Sequence, residues 1–200
     1  AVLFKPAAQG LGHGHFDKLT WQFYDRGNEI VSDYGAARFL NVEAKFGGRY
    51  LPENETYAKH TVAHNTVVVD ETSHFNANVK VGNNNHPTLN YFTTNEFGTV
   101  ANGSISSAYK NVELERTLAL INLPELDSTI TLDIFNANAK TKHQFDLPLH
   151  YKGQLIDTSF DLKANASQLS ALGSNNGYQH LWLKAQATPQ SGLAKVTWLN

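Results

Sequence analysis

Residues 115–123, "ERTLALINL", and residues 128–137, "STITLDIFNA", are separated only by Pro124, Glu125, Leu126 and Asp127. Both runs are short, rich in β-branched and aliphatic residues, and partly alternating at period two, so they read as two strands joined by a break. The same texture recurs at 19–25 "LTWQFYD", 28–35 "NEIVSDYG", 64–71 "HNTVVVDE", 179–186 "QHLWLKAQ" and 193–200 "LAKVTWLN". Turn clusters lie between the runs: Asp25-Arg26-Gly27-Asn28, Phe46-Gly47-Gly48-Arg49 and Gly82-Asn83-Asn84-Asn85-His86-Pro87. Each supplies residues that tolerate positive φ or pin a turn. The pattern predicts an all-β chain folded as an antiparallel β-sandwich of two packed sheets. Two helical exceptions are expected, at 34–43 "YGAARFLNVE", weakened by Gly35, and at 165–172. The Asn-rich stretch around Asn83 reads as a long hairpin tip rather than a domain boundary.

The length of 200 residues fits a single domain spanning 1–200. Both ends lie in strand-like runs without a cap or turn, so the sandwich is expected to be incomplete at both ends and cut from a longer protein. Sixteen basic against eighteen acidic residues give a net charge of −2, with the cations dispersed. That balance offers no basic stripe for a nucleic acid and no polybasic membrane patch. No window approaches the ~20 apolar residues of a membrane span. The first ten residues, "AVLFKPAAQG", do not read as a signal peptide, so any export signal is expected elsewhere. Cysteine is absent, which leaves a metal only histidine and carboxylate ligands, and nine histidines are present.

Residues 12–19, "GHGHFDKL", carry His13 and His15 just ahead of a strand. On an extended chain both imidazoles share a face, with Gly12 and Gly14 permitting close approach. The pair suits a metal or a ligand, and equally a solvated polar face. Asp33 follows at the end of the 28–35 strand, and His64 opens "HNTVVVD". Two imidazoles and a carboxylate from three neighbouring segments suit zinc with one position left open. Taken singly, Asp33 also reads as a turn residue and His64 as a core histidine bonded to a carbonyl. Arg38 presents a planar fork to a carboxylate or forms a surface ion pair. Tyr50, after Gly47-Gly48-Arg49, is either a sugar-contacting hydroxyl or a half-buried aromatic. No nucleophile elbow and no phosphate-binding glycine loop is found. Cupin-type metal oxidoreductases also place H-x-H on a strand, but they add a glutamate soon after it, whereas here Asp17 and then Asp33 follow.

The order "GHGHFDKLTWQFYDRGNEIVSDYG", "ARFL", "GGRY", "TVAHNTVVVDE" resembles the heparinase II/III-like region of polysaccharide lyases, most of all the oligoalginate lyases of polysaccharide lyase family 17. The likeness is dense over the first third of the chain. It is looser over 115–155 and in the last strands. The resemblance implies a β-sandwich that normally follows an N-terminal α/α-toroid domain of the same protein. It implies a structural zinc near the cleft on His15, Asp33 and His64, with water completing the set. His13, Arg38 and Tyr50 would then contact substrate in supporting roles. The implied reaction is β-elimination on a uronate oligosaccharide, most simply alginate, by an exolytic enzyme whose acid and base belong to the toroid. A homodimer and a periplasmic or secreted location follow from the same likeness. Two rival expectations remain: a heparin or heparan sulfate lyase of the same fold, and a non-catalytic carbohydrate-binding sandwich module.

Overall fold

Alternation builds the central strands. Along Val112–Leu123, residues Val112, Leu114, Arg116 and Leu118 are buried, while Glu113 is exposed and Glu115 and Thr117 are half-buried. Period-two burial on a pleated strand directs one set of side chains to the core. The computed structural model describes residues 1–8, 13–33, 35, 51–126, 128–190 and 192–200. Among these residues the strands in chain order are β1 (Val2–Lys5), β2 (Thr20–Asp25), β3 (Asn28–Val31), β4 (Val68–Val69), β5 (Thr88–Asn95), β6 (Gly98–Tyr109) and β7 (Val112–Leu123). They continue with β8 (Ser128–Ala139), β9 (Phe145–Asp146), β10 (Gln154–Thr158), β11 (Lys163–Ala164), β12 (Ala185–Gln186) and β13 (Val196–Leu199).

The fold is all-β. A four-stranded antiparallel sheet of order β5-β6-β7-β8 faces a three-stranded sheet of order β1-β2-β3, and smaller strand pairs β4-β9, β10-β13 and β11-β12 flank them. Two buried clusters lie between the main sheets. One joins Phe16, Leu19 and Val67 to Ile105, Val112 and Leu114, and the other joins Trp21 and Val31 to Leu118. Face-to-face burial of this kind defines a β-sandwich. The sequence reading of strands at 115–123 and 128–137 holds: β7 and β8 pair in continuous register from Val112↔Ala139 to Leu123↔Ser128. The cluster at 25–28 is a two-residue hairpin turn, with Arg26 at φ 48 and Gly27 at φ 85, the doubly positive pair that matches strand twist.

Four expectations need correction or placement. His13 lies in a turn and His15 in irregular chain, because β2 starts only at Thr20. The Asn83 region is the end of a short helix, α1 (Val79–Asn83), capped by Asn78 accepting from the Val81 N–H at 3.0 Å, and not a hairpin tip. Residues 165–172 are not helical: they are irregular chain with one bridge, Ala171 to Trp182, and Asn165 and Leu172 donate to the Lys184 and Leu181 carbonyls. The helix expected at 34–43 lies outside the described residues, apart from Gly35.

Gly98 offers a direct test of the sheet. Its φ is +150 and a Cβ there would sit 2.0 Å from the Leu120 carbonyl oxygen. Gly98→Ala is expected to lower folding stability by at least about 1 kcal/mol in urea unfolding, because the native backbone cannot accept the side chain. It lines a cavity with Asp25, at the end of β2 remote from Thr20, so the cleft described next is expected to be unaffected.

Candidate functional site

Three segments converge at the start of β2: the 13–19 loop, the residues just past β3, and the 59–75 segment. Single hydrogen bonds, most of them involving side chains, tie them together rather than a sheet ladder. Phe16 N donates to Lys59 O at 2.9 Å, Thr61 Oγ1 to Phe16 O at 2.6 Å, and Thr66 Oγ1 to Lys18 O at 2.6 Å. Lys18 N donates to His74 Nδ1 at 3.2 Å. This explains why "HNTVVVDE", read as a strand, contains only the two-residue β4. Thr61 and Thr66 satisfy backbone groups that strand neighbours would otherwise satisfy.

At the convergence, His64 Nδ1 meets Asp33 Oδ1 at 2.6 Å, and Thr20 Oγ1 donates to Asp33 Oδ2 at 3.2 Å. The His15 and His64 ring centroids are 5.1 Å apart. A cleft of about 390 Å³ opens beside them, lined in part by Lys5, His13, His15, Asp17, Gln22 and Asp33. The structure therefore brings His13, His15 and Asp33 into one cleft and sets His64 against Asp33 beneath it. Arg38 and Tyr50 lie outside the described residues. A separate groove of about 390 Å³ between the two sheets is lined by residues such as Phe4, Leu89 and Leu118 and carries no ionisable side chain.

Electrostatics favour a ligating His15. Burial, followed by repulsion from His64, holds the His15 imidazole down at about 4, so it is neutral at pH 7 with a lone pair to offer. Burial pushes the Asp33 carboxyl up, but the hydrogen bond and charge of His64, the Thr20 hydroxyl and the Lys5 charge outweigh it, and the group sits below its usual value. His64 is fully buried, and its Nε2 has no hydrogen-bond partner among the described residues, so the ring retains unspent ligating capacity. Nitrogen and oxygen donors in this number fit zinc.

Sequence reasoning gave Asp17 no part in the site. His15, Asp17 and His64 offer ligand atoms that all lie within 4.8 Å of one another. Asp17, however, is already ion-paired with Lys5 and stands 4.0 Å from the buried Lys18 ammonium. Burial lowers Lys18 to about 8 against the pull of Asp17. A cation on Asp17 would meet two competing positive charges, whereas the oxygens of Asp33 face a histidine and a hydroxyl. The spacing of two residues between His15 and Asp17 was a signal available in the sequence.

The all-β sandwich and its three-segment cleft set the class of protein. The chain belongs to the heparinase II/III-like C-terminal family, whose model matches residues 1–197. It is 48% identical over 199 residues to an exo-oligoalginate lyase of Saccharophagus degradans, and 48% identical over 199 residues to an alginate lyase of Stenotrophomonas maltophilia. Both alignments take in the whole of this chain but 27% of the relative, so the chain spans about a quarter of the length of these proteins.

Proposed function

We propose that this chain is the β-sandwich part of a polysaccharide lyase that cleaves alginate oligosaccharides exolytically by β-elimination. The observation that carries the reading is the 48% identity, along the entire chain, to two proteins named as alginate lyases. In the reaction a base takes the proton at C5 of the uronate, the C4–O bond breaks as C4=C5 forms, and an acid returns a proton to the departing oxygen. No water is consumed. The acid and base belong, in this proposal, to an upstream helical toroid. The sandwich contributes the other wall of the cleft, where His13 and, by family resemblance, Arg38 and Tyr50 hold the substrate. Fixed donors at the carboxylate stabilise the charge that develops there. Homodimer formation and a periplasmic or secreted location are parts of the same proposal.

The metal ligands are proposed to be His15, Asp33 and His64, supported by the cleft that His15 and Asp33 share, by the contact of Asp33 with His64 and by the neutral His15 ring. Zinc bound by this set would supply a structural cross-link among the three segments. In a test of the lyase reading, the intact polypeptide is mixed separately with alginate and with heparan oligosaccharides, and ultraviolet absorbance of the unsaturated product is followed. Product from alginate is expected. Product from heparan alone overturns the substrate, and binding of alginate without product overturns the lyase reading in favour of a carbohydrate-binding module.

A further inference from the structure

Asn65, next to His64, is fully buried and every polar group it has is engaged. Its side-chain Nδ2 donates to Trp21 O at 2.9 Å and to Ser32 O at 2.8 Å. Its Oδ1 accepts from His150 N at 2.6 Å, its backbone N donates to Thr20 Oγ1 at 3.0 Å, and its carbonyl accepts from Arg116 Nη1. The two side-chain acceptors belong to different strands. β2 and β3 pair from the hairpin to Phe23↔Val31, and their ladder stops there. Trp21 and Ser32 lie just past that stop, and the Asn65 amide stands between their carbonyls.

We propose that Asn65 is a positioning residue: its amide wedges apart the ends of β2 and β3 and so aims Asp33 at His64. Were the two strands to continue zipping, Trp21 would pair at about the register of Asp33, and the carboxylate would be carried along the ladder instead of turning to the 64 segment. The wedge also closes a ring of contacts. The backbone N–H of Asn65 donates to the Thr20 hydroxyl, and that hydroxyl donates in turn to Asp33 Oδ2. The other oxygen of Asp33 meets His64, the chain neighbour of Asn65. One residue thereby sets both flanks of the carboxylate. Through His150 N it also fixes the 150–152 segment, which bonds to β3 at Ser32 and Ile30 and continues its sheet.

The proposal rests on the reading of His15, Asp33 and His64 as a zinc site, and two readouts keep the claims separate. In the intact polypeptide, Asn65→Ala is expected to weaken zinc affinity by about tenfold or more, the usual range for a lost outer partner, as measured by competition with a chromophoric chelator. Gly98→Ala serves as the reference for destabilisation without loss of the cleft and is expected to keep wild-type zinc affinity. Equal affinity in Asn65→Ala and wild type, or parallel loss in both variants, overturns the proposal. Should Asn65→Ala fail to fold, Thr20→Val decides: it removes the hydroxyl that joins the Asn65 N–H to Asp33, and a several-fold loss of zinc affinity beyond that of Gly98→Ala is expected, whereas unchanged affinity overturns the idea. If the wild type holds no stoichiometric zinc, the metal reading fails by itself. The crystal structure of Asn65→Ala, or of Thr20→Val in its place, then tests the positioning claim: it stands if the Asp33–His64 contact is lost and falls if that contact persists.

Discussion

Arg116→Met is expected to destabilise the fold by about 3–5 kcal/mol, read from urea unfolding, because it breaks an ion pair whose arginine is buried and strands two interior carbonyls. Arg116 occupies an inward position of β7 at 1% exposure. Its Nε and Nη2 bind Asp133 at 2.8 and 2.6 Å, while Nη1 donates to Leu19 O at 2.8 Å and to Asn65 O. The guanidinium carbon lies 4.8 Å from the Phe135 ring centroid and 5.7 Å from that of Trp21, within cation–π range of both rings. Methionine keeps much of the volume and none of the donors. Asp133 would retain some access to water, but the carbonyls of Leu19 and Asn65 would lose a partner in the interior, at about 1–3 kcal/mol for each left unsatisfied. Arg116→Met/Asp133→Leu is therefore expected to recover part of the loss, since no charge is then stranded, but not the share due to the carbonyls. A single-variant cost below about 1 kcal/mol would show that the pair is dispensable to the fold. Lower zinc affinity is expected alongside, because Arg116 steadies the residue next to His64.

The arginine also shows how far the sequence could be read. Its run was legible as a strand, because Leu114, Leu118 and Leu120 alternate with Glu113, Glu115 and Thr117 closely enough to show an inward face. That a charged residue occupies an inward position could be seen. That it reaches across the sandwich to residues 19 and 65 could not, since those partners are 97 and 51 residues away. The hairpin at Asp25–Asn28 was legible for a local reason: its turn residues state the φ values they need. Residues 64–71 were misread as a full strand because backbone groups in and around them are satisfied by side chains of distant residues, and the valine run at 67–69 looked like an ordinary strand. His15, Asp33 and His64 could be picked out as candidate ligands by residue type and order, although the reason first given for His13 and His15, a shared strand face, does not hold. The loop delivers both to the cleft because Phe16 N is tied to Lys59 and Phe16 O to Thr61. Asn65 was invisible as a hub: an asparagine between a histidine and a threonine reads as a solvated side chain until three chain segments are seen to meet on it.

The largest effect on activity is expected to separate two histidines only two residues apart. His15→Ala in the intact polypeptide should lose stoichiometric zinc, lower the melting temperature and abolish turnover together. Zinc at about 100 times its dissociation constant would contribute about 2.7 kcal/mol to stability, all of which the variant would forgo. EDTA treatment of the wild type should reproduce the same fall in melting temperature and leave His15→Ala unchanged. His13→Ala should behave differently. His13 is an exposed turn residue lining the cleft with Lys5 and Gln22, and it stands outside the proposed donor set. Its loss should leave zinc content and melting temperature at wild-type values while turnover falls by at least about tenfold, as for loss of a group that bonds charge developing in the transition state. The carboxylates supply the matching contrast. Asp33→Asn should lose zinc as His15→Ala does, and Asp17→Asn should keep it, because the pairing of Asp17 with Lys5 already uses that carboxylate. If Asp17→Asn lost the metal and Asp33→Asn retained it, the ligand would be Asp17, and Asp33 would serve to hold the Nδ1 side of the His64 ring while the metal bound at its buried Nε2. If the two histidine variants lost zinc alike, His13 would belong to the metal rather than to the sugar.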